Sequence, residues 1–349
     1  MAFGNLDIDT KKIKSNILKI KDGIPNATRV LLVAKANAYG LGAIPICKDL
    51  NKVIDYIGVA TMTEALELRE ASIKTPILLL SEPNENEWNN AIKNDITVTV
   101  YDDATIHALD TYAKKQKTSI KTHLKIDTGM TRLGSYWETA KTTIQTWLET
   151  SEYVVKEGLY SHFANSESDH ALNEIQLTRF LKETNEHANT MKHLANSDGV
   201  NNIKNSHFDL VRIGLSAYEN SFTLTAPIRQ IQTVKKGTAV GYGSTYTTTK
   251  DCKIAIIGIG YADGISTQYS NKGAVSINGE NYPIVGRVCM DMTMVEIPLS
   301  AKISEADDAI ILAPNKTNTP NLMTMATLTN QNPREIMTRF SKRISRTYR

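Results

Sequence analysis

Arg29-Val30-Leu31-Leu32-Val33-Ala34-Lys35-Ala36-Asn37-Ala38-Tyr39-Gly40-Leu41-Gly42 runs from a short apolar, β-branched segment into a lysine and then into glycines. The pattern predicts a buried strand that delivers Lys35 at its end. Burial disfavours the charged amine, and a neutral amine can bind an aldehyde cofactor as a Schiff base and act as a base. The alternative is a surface lysine whose stem covers apolar groups while its charge stays in water. On this run alone the alternative is favoured.

Similar β-rich runs alternate with helical patterns through the first two thirds of the chain. We predict strands at 29–35, 56–60, 76–80, 96–100, 121–126, 154–160, a weak one near Leu194, and 208–213. The segment 63–69 typifies the helices, with Thr63 as its predicted N-cap. About eight βα units predict an α/β fold with an N-terminal (β/α)8 TIM-like barrel. An open doubly wound sheet is the alternative.

After about residue 222 the pattern changes to short alternating strands separated by turn residues, which predicts a C-terminal, mainly β domain. We predict domains at 1–222 and 223–349, with the first residues as candidates to pair with the C-terminal domain. Asn278-Gly279 tolerates positive φ and predicts a hairpin between 275–277 and 282–285. Pro333 predicts the start of a helix near the C-terminus.

Composition narrows the class of protein. The 349 residues are 22% charged and 41% hydrophobic with a net charge of +3, which is typical of a soluble protein and does not favour nucleic acid as a partner. Neither a signal peptide nor an apolar run of membrane-spanning length is seen, and three scattered cysteines do not suggest a disulfide framework. We therefore expect a cytoplasmic protein. The basic segment 342–346 predicts a solvated tail or an interface rim.

Lys35-Ala36-Asn37-Ala38-Tyr39-Gly40, followed by Gly42, resembles the cofactor-lysine signature of the alanine racemases, a family that uses pyridoxal 5'-phosphate. The resemblance implies that Lys35 holds the cofactor as a Schiff base and later acts as a base. It also implies that the hydroxyl of Tyr39 reaches the cofactor phosphate.

The segment 124–134 resembles the family segment that brings an arginine into the active site, here Arg132. An arginine fork suits a substrate carboxylate because it can bind both oxygens. In some relatives the lysine that matches Lys125 is carbamylated, and an unmodified lysine is an equal alternative here. The segment 158–164 implies that His162 lies beside the pyridine ring.

Two further barrel segments resemble cofactor-binding segments of the family. His193-Leu194-Ala195-Asn196-Ser197 implies phosphate contacts from Asn196 and Ser197, and Gly214 and Leu215 would offer backbone N–H groups to the same phosphate. Arg212 would face the pyridine nitrogen. Because an arginine does not readily give up a proton, that nitrogen would stay unprotonated, which favours simple proton exchange at Cα.

The predicted second domain resembles the other half of the family's active site. The segment 241–246 implies that Tyr242 is a second base on the face opposite Lys35, supplied by the partner subunit of a head-to-tail homodimer. The segments 260–264 and 285–291 imply that Tyr261 lines the substrate entrance and that Met290 meets the substrate carboxylate. Arg334 stands where many relatives have a tyrosine that contacts the phosphate.

The whole resemblance implies two-base interconversion of L-alanine and D-alanine on a pyridoxal-phosphate Schiff base, supplying D-alanine for peptidoglycan, with no metal. Racemisation of another small amino acid such as serine, or broad specificity, is the alternative. Two other classes are also considered. A single-domain cofactor carrier would lack the second domain, and an amino-acid decarboxylase would need an acidic group in place of Arg212.

Overall fold

The computed structural model describes residues 4–168, 170–315 and 319–349, which divide into two compact units. The barrel unit comprises Lys14–Ala38 and Ala43–Ala217. The β unit comprises the described residues up to Ile13, together with Tyr39–Gly42 and Tyr218–Arg349. Each unit is therefore built from separate parts of the sequence. The predicted domain boundary between residues 222 and 223 stays a prediction.

In the barrel unit, Ser135–Tyr136 pairs with Ile120–Asp127 as a side branch of the sheet, and eight parallel strands form the barrel itself. Their hydrogen-bonded order is Leu210–Ile213, Arg29–Val33, Tyr56–Val59, Ile77–Leu79, Ile96–Val100, Ile120–Asp127, Val154–Tyr160 and Met191–His193. Backbone hydrogen bonds join the two edges, from the N–H of Asp209 to the oxygen of Lys192 (3.1 Å) and from the N–H of Arg212 to the oxygen of Ala195 (3.0 Å). This closure confirms the predicted TIM-like barrel, and the open doubly wound sheet is wrong.

Four of the eight barrel strands are buried along their whole length, which explains the apolar runs in their sequences. Within the described residues, no helix combines the length and apolar character that crossing a membrane requires. The helices up to residue 218 are Thr10–Asp22, Ala43–Leu50, Met62–Glu70, Trp88–Lys93, Asp103–Gln116, Ala140–Leu148, His170–Thr184, Ser197–Asn202 and Leu215–Tyr218.

Two local predictions in the barrel unit are wrong. The helix Met62–Glu70 is capped by Thr61 and not by Thr63, because Thr61 is the residue whose hydroxyl accepts the N–H of Glu64. The first barrel strand ends at Val33, so Lys35 lies two residues beyond the strand and begins a separate turn.

One long strand, Phe222–Val234, organises the β unit. Its first half alternates buried and half-buried residues, as expected for a strand with one face in the core. It pairs with Asn5–Ile8 and Asp308–Leu312 in that half and with Cys252–Ile257 in the other. The further strands are Ala239–Val240, Tyr246–Thr247, Ala274–Ile277, Glu280–Pro283, Thr293–Ile297 and Ser345–Tyr348. The α-helices Leu322–Thr329 and Pro333–Thr338 precede the last of these strands, and the second helix confirms the predicted helix start.

The Asn278-Gly279 hairpin is confirmed. Asn278 has φ 52° and Gly279 has φ 87°, and these two residues join the antiparallel strands Ala274–Ile277 and Glu280–Pro283.

The prediction of a solvated tail or rim at 342–346 is wrong for its last residue, Arg346. Ser345–Tyr348 pairs in parallel with Asn5–Ile8. Arg346 donates to the backbone oxygens of Gly40 (2.9 Å) and Phe340 (2.9 Å), among others. The side chain is therefore held within the β unit because it satisfies loop carbonyls.

Candidate active site

Lys35 is followed by one turn of left-handed backbone. Ala36, Asn37, Ala38 and Tyr39 have φ between 52° and 56°. For residues other than glycine, this conformation costs roughly 1–2 kcal/mol each. Hydrogen bonds hold the turn, from the N–H of Ala38 to the oxygen of Ala34 (2.8 Å) and from the N–H of Ala43 to Oδ1 of Asn37 (2.8 Å). Strain of this kind is concentrated at functional sites.

Glu64 anchors this turn, and the sequence analysis did not identify it. Its Oε1 accepts the N–H of Ala36 (2.6 Å), while Oε2 accepts the N–H groups of Ala60 (2.8 Å) and Thr61 (3.2 Å). One carboxylate thus connects the loops that follow two neighbouring barrel strands. The capping box Thr61-x-x-Glu64 was the signal that could have revealed it.

The amine of Lys35 has a lowered pKa. Burial is the main cause, the charge of Arg132 adds to it, and Glu64 opposes it. A lowered pKa agrees with the prediction that Lys35 is a reactive amine, because it increases the neutral fraction of that amine.

Asp127 shapes the loop that carries Arg132. Its Oδ1 accepts the N–H groups of Gly129, Met130 and Thr131 at 2.9–3.0 Å, and its Oδ2 accepts the N–H of Arg132 at 2.7 Å. Burial favours the neutral acid, but these four donors hold the pKa of Asp127 below its usual value. The guanidinium of Arg132 is left exposed.

Lys125 lies inside the barrel, with its Nζ 5.3 Å from the centre of the Tyr160 ring. Burial lowers its pKa to about 7, with Arg212 and Arg132 acting in the same direction and Asp127 against it. A substantial fraction of this amine is therefore neutral and nucleophilic near neutral pH.

The guanidinium of Arg212 donates to four partners. Its Nη2 donates to the oxygens of Ser161 (2.6 Å) and Leu194 (3.0 Å) and to Nδ1 of His162 (3.1 Å), while Nη1 donates to His193. Within the described part of the chain, its Nε–H has no hydrogen-bond partner. Because the guanidinium only donates, His162 accepts at Nδ1 and, when neutral, carries its proton on Nε2.

His162 shows that the predicted barrel residues come together. Burial lowers its pKa well below the usual value, and the charges of Arg212, Lys125, Arg132 and Lys35 lower it further. Four basic side chains therefore act on one imidazole, and the nearby Asp127 already accepts four backbone N–H groups. Such a group of basic side chains suits a ligand with anionic groups.

The predicted phosphate contacts lie at two adjacent strand ends. Asn196 is the N-cap of the helix Ser197–Asn202, and its Oδ1 accepts the N–H of Gly199 (2.9 Å). Ser197 is buried, and its Oγ accepts the N–H of Gly214 (2.9 Å). Leu215 begins the next short helix. Ser197 and Gly214 are thus brought together, with the N–H of Gly214 bonded inside the protein.

The remaining predicted residues belong to the β unit. Tyr39 is buried, which raises its pKa, and the charge of Arg334 opposes that shift. The opposition indicates that the two side chains are neighbours, as a shared phosphate contact would require.

Tyr261 and Met290 are also brought together in the β unit. The N–H of Tyr261 donates to the oxygen of Cys289 (2.9 Å), and the N–H of Ala262 donates to that of Met290 (3.0 Å). Gly260 permits this approach, because a Cβ there would lie 2.3 Å from the oxygen of Cys289. Tyr242 is 73% exposed, an unusual position for a large aromatic side chain.

No group of three or more His, Cys, Asp or Glu side chains that could hold a metal ion occurs among the described residues. The functional residues that the sequence analysis missed are Glu64, Asp127, His123 and Glu157. The last two continue the hydrogen bonds of Arg212 and are described below.

Comparisons with known proteins agree with this arrangement. The alanine racemase N-terminal domain family matches residues 8–221, and the C-terminal domain family matches residues 221–348. Alanine racemase 1 of Caldanaerobacter subterraneus subsp. tengcongensis is 34% identical over 360 residues, covering 96% of this chain and 92% of the relative. The alanine racemase of Fusobacterium nucleatum subsp. nucleatum is 37% identical, covering 84% of this chain and 86% of the relative.

Solved structures give the same result. Alanine racemase of Clostridium difficile 630 has a TM-score of 0.93 at 30% identity, covering 100% of this chain and 96% of that one. Alanine racemase of Bartonella henselae, solved with covalently bound pyridoxal phosphate, has a TM-score of 0.90 at 29% identity, with 100% of both chains covered. The matches to both family domains and to these relatives extend over nearly the whole sequence. The chain belongs to the alanine racemase family of enzymes.

Proposed function

We propose that this chain interconverts L-alanine and D-alanine with pyridoxal 5'-phosphate, using Lys35 and Tyr242 as the two bases. The observation that carries the proposal is the convergence of Lys35, Lys125, Arg132 and Arg212 on His162. A phosphorylated cofactor and an amino acid bring a phosphate and a carboxylate, and these anions suit a group of four basic side chains.

The residues fit the cofactor. Lys35 provides an amine of lowered pKa, and the Nε–H of Arg212, which has no hydrogen-bond partner among the described residues, provides a donor for a ring nitrogen. Ser197, Gly214 and Leu215 lie at strand ends where phosphates are bound in barrel folds, with Asn196 capping the helix there. Tyr39 and Arg334 would add a hydroxyl and a cation. When bound, the cofactor supplies an aldehyde for the amine and a ring that accepts the electrons left when Cα loses its proton.

Lys35 would remove or return the Cα proton on one face of the substrate, and Tyr242 would do so on the other. Arg132 would hold the substrate carboxylate, since its guanidinium stays exposed while Asp127 fixes its backbone. Arg212 keeps its proton and so would leave the ring nitrogen unprotonated. This is the physical argument against decarboxylase chemistry, in which an acid would protonate that nitrogen.

We further propose that Lys125 reacts with CO2, losing a proton from its amine and becoming a carbamate. Its pKa of about 7 makes the required neutral amine available. The carbamate would place a negative charge beside Arg132, which would orient that guanidinium.

A head-to-tail homodimer would supply Tyr242, Tyr261 and Met290 to the partner's Lys35. In support, all three side chains are large and are 73%, 45% and 52% exposed in a single chain. We place the enzyme in the cytoplasm, where it would supply D-alanine for peptidoglycan. Serine or broad specificity is the second candidate, because Arg334 beside Tyr39 differs from the tyrosine of many relatives.

A chiral product assay on purified protein with a panel of L-amino acids tests the proposal. Alanine should be racemised fastest and serine second. Lys35→Ala should abolish turnover in both directions, whereas Lys74→Ala, an exposed lysine elsewhere on the barrel unit, should leave it unchanged. Turnover by the Lys35→Ala protein without added amine would contradict the assignment.

A further inference from the structure

Glu157 lies at a β-bulge in the barrel strand Val154–Tyr160. In the pairing with the neighbouring strand, Thr122 is opposite Lys156 but His123 is opposite Gly158, so residue 157 is the extra one. Bulges can redirect a side chain. Here the carboxylate reaches the ring of His123, with 3.3 Å between Oε2 and Nε2.

The residue after the bulge makes room for this contact. A Cβ on Gly158 would lie 2.6 Å from both Cε1 and Nδ1 of His123. The ring therefore packs directly on the backbone of the bulged strand, and any larger residue at 158 would displace it.

Three hydrogen bonds connect Glu157 with Arg212. Nη1 of Arg212 lies 2.6 Å from Nδ1 of His193, Nε2 of His193 lies 2.8 Å from Nδ1 of His123, and Nε2 of His123 faces Glu157. His193 is neutral, because burial, and then the charge of Arg212, lowers its pKa well below the usual value.

The direction of these hydrogen bonds follows from their first member. A guanidinium only donates, so His193 accepts at Nδ1 and carries its proton on Nε2. His123 must then accept at Nδ1, carry its own proton on Nε2 and donate to Glu157. Arg212, His193, His123 and Glu157 therefore form a single chain in which every bond points the same way, here called the relay.

The relay ends at an anion. Burial opposes ionisation of Glu157, but the hydrogen bond from His123, the hydroxyl of Thr97 and the charge of Lys121 leave its pKa below the usual value. Thr97 donates to the same oxygen at 2.9 Å. Tyr56 also faces the carboxylate: burial raises the pKa of that tyrosine, and the charge of Glu157 raises it further.

Arg212 at the other end is a cation that is only 3% exposed. Its protein partners are two imidazoles and two backbone oxygens, none of which is charged. A buried cation without a nearby anion is unfavourable. Aligned hydrogen bonds can transmit polarisation from a distant carboxylate through the intervening rings.

We propose that Glu157 is a positioning residue for Arg212, acting through His123 and His193. By accepting the proton of His123, it selects the tautomer of both imidazoles, and those tautomers hold the guanidinium in the orientation that leaves its Nε–H free. The inference rests on the proposed function, in which that N–H meets the ring nitrogen of the cofactor. If the hydrogen bonds of the relay ran the other way, Nδ1 of His193 would carry a proton, and that N–H would face the N–H of Arg212.

Two substitutions separate the charge of Glu157 from its hydrogen bond. Glu157→Gln keeps an oxygen that can accept from His123, and Glu157→Leu removes the acceptor. Gly158→Ala disturbs the relay independently by displacing the ring of His123. Glu82→Gln is the matched control, because Glu82 is also a half-buried carboxylate of the barrel unit, and its partners Tyr101, Asp102 and Thr105 are outside the relay.

The tautomers can be measured directly in protein labelled with ¹⁵N-histidine, with and without pyridoxal 5'-phosphate. The wild-type, Glu157→Gln and Glu82→Gln proteins should show His123 and His193 protonated on Nε2 alone. Glu157→Leu and Gly158→Ala should give mixed tautomers at both rings, because the proton of His123 loses its acceptor or its alignment.

Kinetics and spectra of the loaded enzyme provide the second readout. Glu157→Leu should lower kcat by roughly tenfold, as is typical when a supporting partner of a site residue is lost, with a smaller change in KM. The pH dependence of the bound cofactor's absorbance should shift with it. Glu157→Gln should retain more activity than Glu157→Leu, and Glu82→Gln should match the wild type.

Unchanged tautomers in Glu157→Leu would overturn the inference, whether or not activity falls, because a loss of activity alone would indicate a structural role. Mixed tautomers with unchanged kcat and absorbance would overturn it as well. The spectra without cofactor do not depend on catalysis, so an inactive wild-type protein would refute the proposed function and not the relay.

Discussion

Glu82 and Asp102 form a carboxylate pair beyond the ends of two neighbouring barrel strands, and the pair predicts a pH-dependent stability. Glu82 accepts the N–H of Tyr101 at 3.2 Å, while Asp102 caps the helix Asp103–Gln116 by accepting the N–H of Thr105 at 2.9 Å. Burial, and then the charge of Asp102, raises the pKa of Glu82 from 4.5 to about 7.

A raised pKa means that the folded protein binds this proton more tightly than the unfolded chain does. The stabilisation is fully present below the unfolded pKa near 4.5 and is lost as the pH rises through about 7. The complete shift corresponds to about 3.4 kcal/mol, of which roughly 2 kcal/mol falls between about pH 5.5 and pH 8.5. Because Glu82 is partly exposed, solvent screening reduces that contribution to about 1 kcal/mol.

The assay is urea unfolding at about pH 5.5 and pH 8.5, followed by tryptophan fluorescence. Glu82→Gln cannot ionise, so it should lose about 1 kcal/mol less than the wild type across this range. Asp102→Asn keeps an oxygen for the helix cap but removes the repulsion, so it should also reduce the pH dependence. An equal loss of stability in wild type and Glu82→Gln would refute the reasoning.

Three further outcomes are expected. Ala36→Gly should raise the free energy of unfolding by about 0.5–1 kcal/mol, because glycine adopts φ 52° without strain. The control Ala108→Gly, within a right-handed helix, should lower it by about 1 kcal/mol. If urea unfolding shows a loss of stability at both positions, the strain argument is contradicted. With ¹³C-bicarbonate, the protein should show a carbamate carbonyl NMR signal that is absent in Lys125→Arg, and a signal common to both would exclude Lys125. The Lys35→Ala and Tyr242→Phe proteins should each be inactive alone. When mixed, they should regain roughly a quarter of wild-type activity, because each mixed dimer contains one intact site. If mass spectrometry shows subunit exchange but no activity returns, a site within one chain is favoured.

The repeated βα pattern was readable from the sequence because buried parallel strands impose continuous apolar runs. The strands 96–100 and 154–160 were predicted at their observed bounds, and the Asn278-Gly279 turn was predicted because its residues tolerate positive φ. The family signature likewise pointed to Lys35 and Arg132. These features depend on local residue order, which a single sequence contains.

Other features depend on contacts between distant parts of the chain. The left-handed turn after Lys35 consists of four non-glycine residues, which local preference disfavours. It persists because Glu64 accepts the N–H of Ala36 and the side chain of Asn37 accepts the N–H of Ala43. Arg346 looked like a solvent-exposed residue because nothing near it in sequence reveals the carbonyl of Gly40.

The amino-acid sequence by itself determined the barrel, the β-rich region that follows it and the lysine that a cofactor would need, since each is specified by periodicity or by a compact motif. Only the tertiary structure decided the pKa of Lys125, the tautomers of His123 and His193, and the place of Glu157 at the end of the relay. Burial and hydrogen-bond direction are properties of residues brought together from separate strands, and a β-bulge changes which side chain faces the barrel interior. No local pattern in the chain encodes them.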